Sequence, residues 1–357
     1  MKIVKVRLHP VRLKLKQPFV SSHETLTTRE LTVVDLEDEI GMHGYGELEA
    51  FSRPFYTSET QVTARWIITE VLADLVTDCE FDQPEELYHR MEPVKDNQLA
   101  KAAVDSAVWD LYAKRQGQPL AQVLATSAQT TWQPDVPVGI SVGIQSLAQT
   151  CQSVRQAQAA NYGRIKLKVH GNADLQRIAA VRKAFPTTKL CVDANGSLTP
   201  AAALATEIDA LGLTMLEDPF ARNAQQATAN LQSQLQTDLC YDEPIESVAD
   251  AVRAIRAGEC RIISMKSSVL GGLTPALQLV AAHRTEGFPL WCGGMVEGGV
   301  GRATNLALAS LAEFAFPGDL SATDRYFAHD YAQPEFQLRA GQLQVPRFSG
   351  NGVTPQF

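Results

Sequence analysis

Residues 164–168 read RIKLK, 190–193 LCVD, 213–217 LTMLE, 239–242 LCYD and 262–266 IISMK. Each is a short apolar run that closes on an ionisable side chain. Lys168, Asp193, Glu217, Asp242 and Lys266 follow one another at intervals of 25, 24, 25 and 24 residues. A strand, a turn and an amphipathic stretch fit into each unit, which is the beat of successive βα units. In a (β/α) barrel all strands open their C-terminal ends onto one face, so these side chains are expected to converge on one site. Lys166 lies two positions before Lys168 and shares its strand face. A doubly wound open sheet carries the same alternation, but its functional residues gather at one switch point, whereas here they recur on every strand.

Working outward, runs ending near Ser141 and Cys292 bring the predicted strands to seven, and the segment near Asp319 is expected to supply an eighth. Between strands the pattern turns helical. Over 200–211, Thr199 is placed as N-cap, Pro200 at the first helical position, and Leu204, Ile208 and Leu211 on one face. Before residue 131 the regime differs. Residues 2–15 and 30–36 are strand-like, and a turn at Asp38–Gly41 leads into HGYGELEAF, an antiparallel meander. Ser58 and Gln61 have capping-box spacing ahead of a helix with Ile68, Val71, Leu72, Leu75 and Val76 on its apolar face. A second helix carries Val104, Ala107, Val108, Leu111 and Tyr112 and stops at Gly117, with Pro119 beyond. The expected fold class is α/β: a (β/α)7β TIM-like barrel over 131–325, with an α+β capping domain formed by 1–130 and joined by the tail 326–357.

Composition agrees with that size. The 357 residues accommodate a barrel of about 200–250 residues plus a second unit of roughly 100. A net charge of −8 and the lack of any basic block give no reason to expect nucleic acid or an anionic membrane as partner. No stretch approaches the ~18 apolar residues of a spanning helix. The N-terminus MKIVKVRLHPVRLKLK interrupts its apolar residues with charges, a strand pattern and not a secretory segment. The six cysteines, without a CxxC pair, read as reduced thiols of a cytoplasmic protein, and Cys191 and Cys240 as core residues. A homo-oligomer is compatible with the sequence.

Asp193, Glu217 and Asp242 are hard oxygen ligands from three successive strand ends. Massed carboxylates repel one another unless a cation neutralises them. With no His or Cys in the set, Mg²⁺ or Mn²⁺ fits better than zinc. Asp218 and Glu243 follow two of them directly and are expected to be supporting partners or caps. Asn195 faces the same side as Asp193 and is expected near the ion's water or the substrate. A buried lysine next to a dication and another ammonium has reason to lose its proton, so Lys168 or Lys166 can act as a base, while Lys266 addresses a substrate from the other side of the acids. The run Trp291–Gly301 (WCGGMVEGGVG) leads into an apolar helix. Its amides suit an anion such as a substrate carboxylate, or the run is simply a tight strand–helix turn. No histidine pairing suggests a ligand or catalytic role.

RIKLKV, VDANGS, EDPF, DEPIES, WCGGMVEGGVGRATNLALASL and PGDLSATDRY, together with PFYTSET at 54–60, resemble the enolase superfamily. Within its muconate-lactonising-like group they are similar to the o-succinylbenzoate synthase / N-acylamino acid racemase family. Enolase-superfamily sites use a Lys or His base with one or two Mg²⁺ ions. The resemblance implies Mg²⁺ on Asp193, Glu217 and Asp242, Lys168 as the base that removes a proton α to a carboxylate, and Lys266 on the opposite face. It implies substrate contacts from Ser141, Lys166, Asn195, Gly293, Gly294 and Met295, and a capping loop Phe19–Thr28 over the barrel mouth. The implied substrate is a small-molecule carboxylate, and the implied reaction is loss of water on the menaquinone route. Two departures stand out. The family often has EQP where this chain has Glu217-Asp218-Pro219, and KPGR where it has Lys266-Ser267-Ser268-Val269; the missing arginine favours dehydration over racemisation. A Schiff-base lysine barrel and a metal-stabilised, non-catalytic barrel remain as readings of the same residues.

Overall fold

The computed structural model describes residues 1–21 and 24–357. The chain opens with an antiparallel meander of β1 (Ile3–Val20), β2 (Thr25–Asp38) and β3 (His43–Leu48). β2 is buried on both faces: Val34 and Leu36, with Leu48 of β3, pack against the helices that follow, while Leu31 and Val33 join the core cluster that also fills the barrel. These are α1 (Gln61–Ile67), running through a π-turn at Ile68–Leu72 into α2 (Ala73–Val76), then α3 (Pro84–Met91), α4 (Gln98–Arg115) and α5 (Leu120–Ser127). The N-cap of α1 is Thr60, whose hydroxyl accepts from the Thr63 N–H, not the expected Ser58. The segment expected as a capping loop is mostly strand: Phe19 pairs with Leu26 and Val20 with Thr25, while Ser22 and His23 lie outside the described residues.

After β4 (Asp135–Pro137) the barrel begins. Its parallel strands are β5 (Gly139–Val142), β6 (Arg164–Lys168), β7 (Leu190–Asp193), β8 (Leu216–Glu217), β9 (Leu239–Tyr241), β10 (Ile262–Met265) and β11 (Leu290–Cys292), hydrogen-bonded in chain order. Helices α6 (Leu147–Ala159), α7 (Leu175–Ala184), α8 (Leu204–Ala210), α9 (Gln225–Gln234), α10 (Val248–Arg256), the short α11 (Ser267–Leu270) with α12 (Leu273–Glu286), and α13 (Gly299–Ala309) lie between and after them. The ring is closed by an irregular segment in place of the expected eighth strand. Ala315 and Asp319 donate N–H bonds to Leu290 and Cys292 of β11 at 3.0 and 2.9 Å, and Gly318 accepts from Gly139 of β5 at 2.7 Å. Pro317 inside this segment has no N–H to offer a ladder, which accounts for the lack of regular pairing. Helix α8 starts at Leu204, four residues later than Pro200, because Thr199 is engaged elsewhere: its N–H bonds the Asn172 Oδ1 at 2.9 Å and its carbonyl accepts from the same side chain.

The tail holds α14 (Thr323–Tyr326), β12 (Ala332–Gln333), β13 (Gln342–Gln344) and β14 (Thr354–Pro355). It touches both parts of the molecule: β13 pairs with β4, the Asn351 N–H reaches Asp110 of α4 at 2.6 Å, and Phe357 stacks on His9 of β1. Among the described residues no helix is long and apolar enough to cross a membrane, and all six cysteines are unpaired, with Cys191 and Cys240 fully buried.

Candidate active site

The register of β6, β7 and β8 sets Lys168 beside Asp193 and Asp193 beside Glu217, so neighbouring strand ends deliver one ammonium and then a row of acids to one rim. Asp242 and Lys266 follow the last residues of β9 and β10 on the same rim. Lys168, Asp193, Glu217 and Asp242 are buried and Lys266 is partly buried. The Lys168 Nζ lies 2.7 Å from the Asp193 Oδ2 and 2.8 Å from the Asn195 Oδ1. The Lys166 Nζ donates to both Glu217 oxygens at 3.0 and 3.1 Å, and is 2.5 Å from the Asp319 Oδ2 and 3.4 Å from Asp193. The Lys266 Nζ is 2.6 Å from the Asp242 Oδ2 and donates to the Tyr56 hydroxyl, whose ring it also overlies.

Burial alone favours neutral forms, and the charges contest it. Burial pushes the Glu217 carboxyl up to about 8, reinforced by Asp193 and Asp242, with Lys166 only partly opposing. Burial would also raise the Asp193 carboxyl, but Lys168 and Lys166 hold it below the usual carboxylate range. Burial would lower the Lys166 and Lys266 ammoniums; Asp319, Glu217 and Asp193 outweigh it for the first, and Asp242 for the second, so both stay above the ordinary lysine value. A glutamate driven toward protonation by its own neighbours is what a cation relieves. The donor set is all oxygen and fits a hard dication. Among the described residues, the trio whose ligand oxygens lie within 4.8 Å of one another is Glu217, Asp218 and Asp242. This differs by one from the expected set, because Lys168 and Asn195 draw Asp193 aside. Asp218 is already engaged: its two oxygens accept the N–H groups of Asp242 (3.1 Å) and Glu243 (2.9 Å) and pin the start of the next loop. Asn195 donates to the Glu243 Oε1 at 2.7 Å, tying that residue to Lys168.

A cleft of about 780 Å³ opens above these groups. Its apolar wall comes from the meander side, with Phe19, Leu26, Phe51, Phe55 and Tyr56, and from Tyr326 of the tail. Ser141, Lys166, Asn195, Gly294 and Met295 all line it, and the buried Ser141 Oγ has no hydrogen-bond partner among the described residues. Gly293 sits behind the lining; a Cβ there would come within 2.8 Å of the Lys266 Cγ and the Ser264 Oγ, so this glycine clears space for the lysine stem. The helix-start amides expected to bind a substrate anion are taken. Gly298 and Gly301 donate to Glu47 at 2.8 and 3.2 Å, and Gly299 to Asp330 at 2.9 Å. Protein carboxylates, not a ligand, satisfy the N-terminus of α13.

Two family models match the chain. The mandelate racemase / muconate lactonizing enzyme N-terminal domain matches residues 3–125, and the enolase C-terminal domain-like model matches residues 148–356. The chain belongs to the enolase superfamily. It is 41% identical to a protein of Listeria innocua named o-succinylbenzoate synthase, over 98% of this chain and 93% of that one. It is 37% identical to an N-succinylamino acid racemase of Thermus thermophilus, over 99% and 95%. The crystal structure of an enolase-superfamily member from Listeria innocua superposes with a TM-score of 0.94 at 41% identity, covering 99% of this chain and 95% of that one.

In this enolase-superfamily site, several residues come from places the βα beat does not mark. Tyr56 bonds Asp242 at 3.1 Å from within PFYTSET, far from any barrel strand. Asp319 lies on the ring-closing segment and bridges Lys166 to the buried Arg164, 2.6 Å from the latter, whose guanidinium stacks over Trp291. Glu297 lines the cleft while its Oε2 accepts the Met295 N–H at 2.8 Å. The arrangement offers one lysine at each end of an acid row under an apolar roof, suited to moving a proton next to a carboxylate.

Proposed function

We propose that the protein is an o-succinylbenzoate synthase: it removes water from 2-succinyl-6-hydroxy-2,4-cyclohexadiene-1-carboxylate to give 2-succinylbenzoate. The observation that carries this reading is the unequal pair of lysines. Lys168 lies against Asp193 and Asn195, whereas Lys266 is locked between Asp242 and the Tyr56 hydroxyl. A syn-elimination needs one proton-transfer group and one fixed charge. Lys168 takes the proton from the ring carbon α to the carboxylate and returns it to the departing hydroxyl on the same face, leaving an aromatic ring and water. Lys166, an ammonium held by Asp319, stands on the same strand face as Lys168 and lines the cleft, where it orients the substrate. Lys266 keeps its charge and stabilises negative charge as it develops, while the cleft's aromatic wall excludes water. Asp193, Glu217 and Asp242 would hold Mg²⁺, which supplies positive charge beside the substrate carboxylate; Mn²⁺ is the expected substitute.

A second reading, N-succinylamino acid racemisation, has support from the Thermus thermophilus relative. It requires Lys266 to give and take a proton in each turnover. The Asp242 contact works against that, and Val269 stands where an arginine would favour the neutral amine. Assays of the purified protein with Mg²⁺ on both substrates decide between them. Dehydration should dominate, EDTA should abolish it, and Mg²⁺ should restore it. In D₂O, α-deuteration should be faster for the N-succinyl amino acid enantiomer that faces Lys168. Equal, rapid exchange of both enantiomers with racemisation rivalling dehydration would reverse the assignment.

A further inference from the structure

The glycine-rich run has a job that belongs neither to the lysine chemistry nor to ion binding. Residues 293–298 connect β11 to α13 without regular structure and present Gly294, Met295, Val296 and Glu297 to the cleft. Val296 has φ +56°. For a β-branched side chain this left-handed backbone is an outlier that persists only where the surroundings impose it. The surroundings here come largely from outside the barrel. Glu47, on β3 of the meander, accepts N–H bonds from Gly298 and Gly301 and the hydroxyl proton of Tyr331 from the tail. A Cβ at Gly301 would come within 2.6 Å of the Glu49 Oε1 and 2.8 Å of the Glu47 Oε1, so the glycine is there to let the carboxylates in. On the loop's other side, Arg302 donates to the Glu297 carbonyl at 2.7 Å while paired to Asp330 of the tail.

We propose that Glu47 is a positioning residue: by docking into the glycine socket at the start of α13, it makes the shape of the cleft-lining loop Gly293–Gly298 conditional on seating of the meander. Capping-domain placement and substrate recognition are thereby one event. Burial pushes the Glu47 carboxyl up to about 7, against which the Tyr331 and Gly298 hydrogen bonds pull it down, so much of its hydrogen-bonding capacity is already committed to this contact. Its hydrogen-bond partners are Gly298, Gly301 and Tyr331, none of them in the acid row, which separates this role from ion binding.

The inference rests on the dehydratase reading for its kinetic arm only. Glu47→Gln and, as the milder variant, Tyr331→Phe are compared with the wild-type full chain in three measurements. Amide hydrogen exchange, read without substrate, should show faster exchange at residues 294–301 in Glu47→Gln with the strands of the barrel unchanged. Mg²⁺ binding measured by calorimetry should be unaltered in both variants. KM for the dehydration substrate should rise by about tenfold in Glu47→Gln, with a smaller drop in kcat, and by less in Tyr331→Phe. Unchanged exchange over 294–301 and an unchanged KM in folded Glu47→Gln overturn the proposal. If Glu47→Gln does not fold, Tyr331→Phe decides on the same two readouts. A wild-type protein that dehydrates nothing defeats the dehydratase reading alone, since the exchange arm still decides the role of Glu47.

Discussion

Lys166 and Lys168 stand two residues apart on one strand and yet keep different company. The Lys166 ammonium is shared among Glu217, Asp193 and Asp319, and Asp319 is in turn fixed by Arg164. Lys168 has one acid and one amide oxygen. In the proposed dehydration the crowded Lys166 serves as a fixed charge and Lys168 as the base. Lys168→Ala is therefore expected to lose at least ~10³-fold in kcat, about 4 kcal/mol of transition-state stabilisation, in steady-state assays. Lys166→Ala should lose less; a larger loss at Lys166 would exchange the two roles. At the far end of the acid row, Tyr56→Phe keeps the ring under Lys266 but removes the hydroxyl that joins it to Asp242. Turnover should fall by roughly tenfold, the size of one charge-assisted hydrogen bond, with Mg²⁺ affinity retained. Single-turnover measurements alongside calorimetry would check both halves of that expectation.

Among the elements, the strand ends were legible because apolar runs that close on a charge every 24 or 25 residues arise naturally from successive βα units and hardly otherwise. The starts of helices were harder to read, because caps depend on competition between nearby hydroxyls. Thr60 outcompetes Ser58 by placing its oxygen on the Thr63 N–H, and Thr199 is diverted to Asn172. Helix α6 shows the unambiguous case: the Ser146 side chain accepts from the Gln149 N–H and the Gln149 side chain reaches back. Ser146→Ala should cost about 1 kcal/mol in urea unfolding without touching catalysis. The site was legible in proportion to its dependence on the beat. Lys168, Asp193, Glu217, Asp242 and Lys266 were readable from spacing. Tyr56, Asp319 and Glu297 were not, since they arrive from a loop of the meander side, a segment without strand periodicity and a glycine-rich turn. The same turn misled in a second way: its free amides look like an anion site until the fold brings Glu47 to them.

Across the whole molecule, α4 sends Asp105 to the start of α12, where it accepts the Thr274 N–H at 3.0 Å and its hydroxyl proton at 2.7 Å. Burial pushes that carboxyl up to about 7. An acid whose folded value lies above its unfolded one binds more protons in the folded state across the interval between them. Its contribution to stability is therefore fullest below about pH 4 and declines as pH rises toward about 7, by a few kcal/mol at most. Denaturant unfolding across that range should show a smaller decline in Asp105→Asn than in the wild type; parallel curves would mean that the group is ionised throughout.

Asp105 at α12, Glu47 at α13 and Asp110 at Asn351 make the meander side the supplier of caps for barrel helices and tail alike. That has a consequence for recombination. A chimaera joining this barrel to the first hundred-odd residues of a distant relative would transplant not only a lid but the termini of the recipient's helices. Crossover points chosen at the apparent boundary near residue 130 would sever donors from acceptors that sequence-local reasoning assigns to separate modules. Libraries built to exchange roofs over this barrel should keep these three carboxylates with the host, whatever else is swapped.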